Sequence, residues 1–128
     1  MLIKASVKSV QMSPRKVGVV ATLVRGRSIA DAIAILEHTP RSASTPVKKL
    51  LKSAEANALN NHGLTGESLV LKSISVTPGS RLKRYRPAAR GRALPYQKKS
   101  SHIYVEVSGE KKQPKKPAAK TAKERANA

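Results

Sequence analysis

The sequence has no cysteine, no phenylalanine and no tryptophan, and only 7 acidic residues stand against 26 lysines and arginines. Without cysteine, disulfide scaffolding and thiolate metal sites are excluded. Without the two apolar ring side chains, any core is aliphatic and small. Such a body is expected to be marginally stable alone and to gain stability on binding. No apolar run approaches the roughly 20 residues that a helix needs to cross a bilayer. The first ten residues, MLIKASVKSV, are interrupted by lysines where a signal peptide would be apolar. Together these absences predict a cytoplasmic address.

What the chain does have is positive charge: a formal +19 at pH 7 over 128 residues. Self-repulsion of that size opposes compaction, and a polyanionic partner relieves it. Nucleic acid is the leading partner class. An anionic membrane fits poorly, because no helical segment pairs a basic face with bulky aromatic anchors, and no membrane insertion is expected. The length suits one domain with tails. Residues 1–109 read as a single globular, nucleic-acid-binding domain. Residues 110–128 (EKKQPKKPAAKTAKERANA) contain no bulky apolar side chain and read as a disordered basic tail.

Along the domain, residues 2–10 alternate, with Ile3, Ala5 and Val7 on one face, as in a half-buried strand. A first helix opens at Ser13-Pro14, cap and first helical position, with Met12 and Val17 placed as a hydrophobic staple. Its stripe is Val17, Val20, Ala21 and Val24, and Gly26 supplies a left-handed stop. A second helix starts from Ser28 with Asp31 as the capping acid and Ile29, Ala32, Ile33 and Leu36 as its stripe. A third begins between Arg41 and Thr45, carries Val47, Leu50, Leu51, Ala54 and Ala58, and closes at Asn60–Gly63. Leu69–Val76 reads as a strand of imperfect period, with Val70, Ile74 and Val76 grouped on the face of Lys72. In the last strand Ile103, Val105 and Val107 alternate cleanly with His102, Tyr104 and Glu106. The predicted fold is α+β: three helices on one face of a small three-stranded antiparallel sheet.

Between those last two strands lies TPGSRLKRYRPAARGRALPYQKKSS, residues 77–101, with three prolines, two glycines and no acid. An ordinary helix cannot run through it. It reads as a long protruding β-hairpin whose arms, at about 18 residues and ~3.3 Å each, reach about 60 Å, the outer half of it beyond the core. Lys72, Arg81, Lys83, Arg84, Arg86, Arg90, Arg92, Lys98 and Lys99 pass between Glu67 and Glu106 without an intervening acid. A surface made for solubility mixes both signs. Guanidinium forks match phosphate oxygens in pairs, and Tyr85 and Tyr96 offer faces for unpaired bases. Arg15 and Lys16 sit at the start of the first helix, against its dipole. They mark either a phosphate seat or plain exposed charge, and the residues do not decide between them.

Catalytic chemistry finds little support. His38, His62 and His102 are scattered, no pair has metal-ligand spacing, and no glycine-rich phosphate loop is present. No enzyme, cofactor or metal is expected. A helix-turn-helix reading of the first two helices fails on the second, which carries Asp31 and Glu37 and no lysine or arginine. A DNA-compacting, nucleoid-type protein remains the alternative class.

Three stretches, SPRKVGVVATLVRGRSIADAIAILEHTPR (13–41), VKKLLKSAEANALNNHG (47–63) and LKRYRPAARGRALPYQKKSSHIYVEV (82–107), resemble the bacterial large-subunit ribosomal protein twenty-two family. The resemblance implies a structural constituent of the large subunit that binds 23S ribosomal RNA and supports subunit assembly, with neighbouring ribosomal proteins as partners and no free homo-oligomer. It further implies that the hairpin runs along the polypeptide exit tunnel. The tip, Pro87, Ala88, Ala89, Arg90, Gly91, Arg92 and Ala93, would face the nascent chain near the macrolide site. The family commonly has an arginine after the hairpin proline, where this chain has Ala88, which implies a locally less positive tip.

Overall fold

The computed structural model describes residues 1–110, so all but the first residue of the expected tail lies outside the described residues. The elements are β1 (Leu2–Val10), α1 (Pro14–Val24), α2 (Ile29–His38), α3 (Ser44–His62), β2 (Val70–Pro87) and β3 (Ala93–Ser108). The three strands form one antiparallel sheet in the order β1-β3-β2.

Local sequence accounts for the helix boundaries. Ser28 caps α2 by accepting from the Asp31 N–H at 3.2 Å, and its hydroxyl donates back to the Asp31 carboxylate at 2.7 Å. Ser13 occupies the cap position of α1, but its hydroxyl makes no capping bond. Gly26 and Gly63 supply the left-handed residues after α1 and α3, at φ of 75° and 60°. His38 and His62 close the last turns of α2 and α3, where their donors suit the helix C-termini.

The stripes converge as the sequence predicts. Val17, Val20, Ala21 and Val24, then Ile29, Ala32 and Leu36, then Val47, Leu50, Leu51, Ala54 and Ala58 are buried against Ile3, Ile103, Val105 and Val107. Ile33 and Met12 are only partly covered, at the edge of this core. The opposite face of the sheet is open and polar. There Glu106 accepts from the Ser73 hydroxyl at 3.1 Å and pairs with Lys4 at 3.5 Å.

One expected strand face is corrected. Val70 does not share a face with Ile74 and Val76: it is 40 % exposed, while Leu71 and Ile74 are buried. The register shows why. Leu71 pairs with Val107 and Ser73 with Glu106, so Lys72 is an extra residue, a β-bulge that shifts the alternation by one. The bulge turns the Lys72 side chain out to solvent and returns Ile74 to the core.

The α1–α2 connection is tied to the root of β2. Gly26 and Ile29 donate to the carbonyls of Leu71 and Leu69 at 3.2 and 3.0 Å, and Leu71 donates to the Arg27 carbonyl at 2.9 Å. The Arg25 guanidinium continues along that edge with a 3.2 Å bond to the Ile74 carbonyl. At the same end of the sheet, on its β1 side, Gly109 and Met1 exchange hydrogen bonds of 3.2 and 3.0 Å. Glu110 is still held, its N–H donating to the Ser68 hydroxyl at 3.2 Å.

Gly109 is a sharp test of this packing. A Cβ there would stand 2.6 Å from Leu69 Cδ2 and 3.1 Å from Leu64 Cδ1, both on buried side chains. Gly109→Ala is expected to destabilise by about 1–3 kcal/mol through overpacking. That would lower Tm by several degrees in a domain of this size. An unchanged thermal melt would show that the terminus packs more loosely than described.

Candidate nucleic-acid interface

Beyond the body, β2 and β3 continue as a two-stranded ribbon, paired without interruption from Arg81↔Lys99 to Pro87↔Ala93. Past the last body pair, Pro78↔Ser101, roughly nine residues of each arm at ~3.3 Å project about 30 Å. This is the projecting hairpin expected from residues 77–101, with its arms fully paired. Both strands of a ribbon are edges, which is where Pro78 and Pro95 are tolerated.

Bulges define the neck. β2 spends Gly79 and Ser80 against Ser100, and β1 spends Lys8 and Ser9 against His102. Ser9 takes φ 57° and donates its N–H to His102 Nδ1 at 2.9 Å; Val10 pairs once more, with Ser101, before the chain turns away and leaves β3 uncovered on that side. A Cβ at Gly79 would lie 2.5 Å from the Ser100 hydroxyl, which would have to turn away from the Ser80 carbonyl it now bonds at 2.6 Å.

Cross-strand partners share a face, so the register sorts the ribbon's side chains. One face carries Leu82, Arg84, Arg86, Leu94, Tyr96 and Lys98; the other carries Arg81, Lys83, Tyr85, Pro95, Gln97 and Lys99. Three cations stand on each face and no acid on either. Tyr85 is 68 % exposed, and Leu82 and Leu94 are about half exposed. Neither face is a core face, so both are open to solvent or to a partner. The Arg86 guanidinium lies 4.7 Å from the centre of the Tyr96 ring, covering one of its faces and leaving Tyr85 as the open stacking surface.

The tip is a tight turn. The Ala88 N–H bonds the Arg92 carbonyl at 2.8 Å, and Arg90 and Gly91 both take left-handed backbone, at φ of 60° and 68°. Glycine adopts that conformation freely; for arginine it stores roughly 1 kcal/mol or more. Pro87, Ala89, Arg90, Gly91, Arg92 and Ala93 are exposed and Ala88 half-buried.

The body's own charges are partly neutralised. Glu37 pairs with Lys48 at 2.8 Å across α2 and α3, and the Lys48 hydrogen bond and charge hold the Glu37 carboxyl below the usual carboxylate range. A depressed folded pKa means this pair supports the fold at neutral pH and loses its effect as acid protonates Glu37. The ribbon cations have no such partners among the described residues. Of the remaining predicted contact residues, Arg15 and Lys16 lie in the first turn of α1. The structure brings Lys16 to the same cleft as Lys98 and Lys99, whereas Lys72 stands apart on the body. Serines 9, 13, 42, 80 and 100 line that cleft as well, and sequence reading did not single them out for contact. Three of them belong to strands that only long-range pairing brings together, so no local signal marks them.

Comparison with known proteins covers this body and ribbon together. Residues 5–108 match the family described as "Ribosomal protein L22p/L17e". The chain belongs to that family. Among its relatives, the "Large ribosomal subunit protein uL22" of Pediococcus pentosaceus is 51 % identical over 105 residues, covering 82 % of this chain and 89 % of the relative. The protein of the same description from Oceanobacillus iheyensis is 50 % identical over 108 residues, 84 % of this chain and 96 % of the relative. Family membership makes the chain a large-subunit ribosomal protein, a component of the translation apparatus in the cytoplasm and not an enzyme. The family match spans the whole ribbon as well as the body.

Proposed function

We propose that this protein binds 23S ribosomal RNA through lysine and arginine contacts to phosphate, supports subunit assembly, and extends its ribbon along the polypeptide exit tunnel. In this reading the body packs among RNA and neighbouring large-subunit proteins. The tip, Pro87–Ala93, faces the nascent polypeptide near the macrolide site. The observation that carries it is the ribbon itself: an acid-free, two-faced cationic hairpin with no apolar face to return to its own core. Such a surface is neutralised on both sides only when it is enclosed by polyanion. The tip agrees with the second task, because small residues alternate with arginines there and leave room for a passing chain. A DNA-compacting role has no groove-reading helix to rest on, since α2 presents Asp31 and Glu37 without a lysine or arginine.

Site-specific photo-crosslinkers in translating ribosomes test both parts. A crosslinker at Leu82, on the arm, is expected to capture 23S ribosomal RNA, and one at Ala88, on the tip, to capture the nascent chain. Absence of RNA adducts from Leu82 would sink the RNA reading. RNA adducts from Leu82 without peptide adducts from Ala88 would leave the RNA reading standing and remove the tunnel role.

A further inference from the structure

At the neck, where β1 turns away from β3, a cleft of about 730 Å3 opens between the root of the ribbon, the start of α1 and the α2–α3 turn. That volume lies within the range of sites that hold ligands. Its cationic lining is Lys16 from α1 and Lys98 and Lys99 from β3, and no acid lines it. Among the described residues the ion pairs are Lys4–Glu106 and Lys48–Glu37, so none of these three lysines is neutralised within the body.

The uncharged lining is polar in a particular way. Ser13 leaves the α1 cap bond unmade, so its hydroxyl is available to the cleft, and Ser42 and Gln97 add further groups able both to donate and to accept. Half-exposed Leu82 supplies an apolar wall. A free inorganic anion would need only the lysines. A sugar–phosphate backbone uses all three kinds of surface: charge for phosphate, two-way hydrogen bonding for ribose hydroxyls, and an apolar patch for the sugar ring.

We propose that the neck cleft seats a stretch of RNA backbone, with Lys16 and Lys98 on its phosphates, and so fixes the direction in which the ribbon leaves the body. This deepens the RNA-binding reading above and rests on it. The clamp has one jaw on the body and one on the ribbon. A strand held there therefore couples the two across the bulges at Ser9 and Gly79–Ser80.

The test is binding of the full-length protein to transcribed 23S ribosomal RNA across a series of salt concentrations, comparing Lys16→Gln/Lys98→Gln with Arg84→Gln/Arg86→Gln. Loss of two phosphate contacts is expected to make the plot of log affinity against log salt shallower by roughly 1.4–1.8. At moderate salt, affinity should fall about tenfold, with an unchanged circular-dichroism melt. If the cleft variant binds like the parent while the Arg84/Arg86 variant weakens, the cleft proposal is overturned and RNA binding by the ribbon stands. If both variants bind like the parent, the RNA reading falls with it.

Discussion

Replacing Leu82–Lys98 with Asn-Gly is expected to leave a folded body that has lost most of its affinity for ribosomal RNA. Arg81 and Lys99 are directly paired, so a two-residue type I′ turn closes the shortened hairpin in register. None of the removed side chains belongs to the core, which lies among the helices and the body of the sheet. The thermal melt should therefore stay within a few degrees of the parent. The replacement removes six cations: Lys83, Arg84, Arg86, Arg90, Arg92 and Lys98. If each neutralises one phosphate, the salt dependence becomes shallower by roughly 4–5, and affinity at moderate salt drops by several orders of magnitude. A body that unfolds would show that the ribbon is part of the core, and unchanged affinity would remove the ribbon from the interface.

The second large effect is in the core. Leu51 is fully buried on α3, between the other helices and the sheet, in a core without a single ring. Leu51→Ala should cost about 2–5 kcal/mol, because rigid neighbours cannot close the cavity. Small domains hold only about 5–15 kcal/mol in total, so Tm is expected to fall by at least about 10 °C. Leu59→Ala, on the same helix but 41 % exposed, should cost under about 1 kcal/mol. Urea melts of the two variants check the contrast, and equal losses would contradict the burial pattern. Bound RNA should offset much of the Leu51→Ala deficit, since a ligand that binds only the folded chain adds to its stability.

The helices were legible because their signals are local. Ser28 and Asp31, the Val17–Val24 stripe and the glycines at 26 and 63 each specify their element within one or two turns of chain. The alternation at Ile103–Val107 was equally plain, since that strand is central and covered on one face. The bulge at Lys72 was not legible, because it exists only in register with Glu106 and Val107, far along the chain. Period-two reading therefore assigned Val70 to the wrong face. The acid-free run from Lys72 to Lys99 marked the proposed contact surface, but sequence could not sort its cations onto two faces. Nor could it show that Lys16 and Lys98 line one cleft: that juxtaposition depends on where β1 leaves the sheet, just past Val10.

The strand order has a consequence for how the chain is made. β3 is the central strand, and its pairing with β1 runs from Leu2↔Ser108 to Val10↔Ser101, joining the first strand of the body to the last. Contacts of such sequence separation form slowly, because loop closure precedes the hydrogen bonds that repay it. The three helices can form as each emerges, but β1 stays unpaired and the apolar stripes have no sheet to close on until residue 108 is available. The body is therefore expected to acquire its native packing in one late step, after the ribbon's own cations are already exposed.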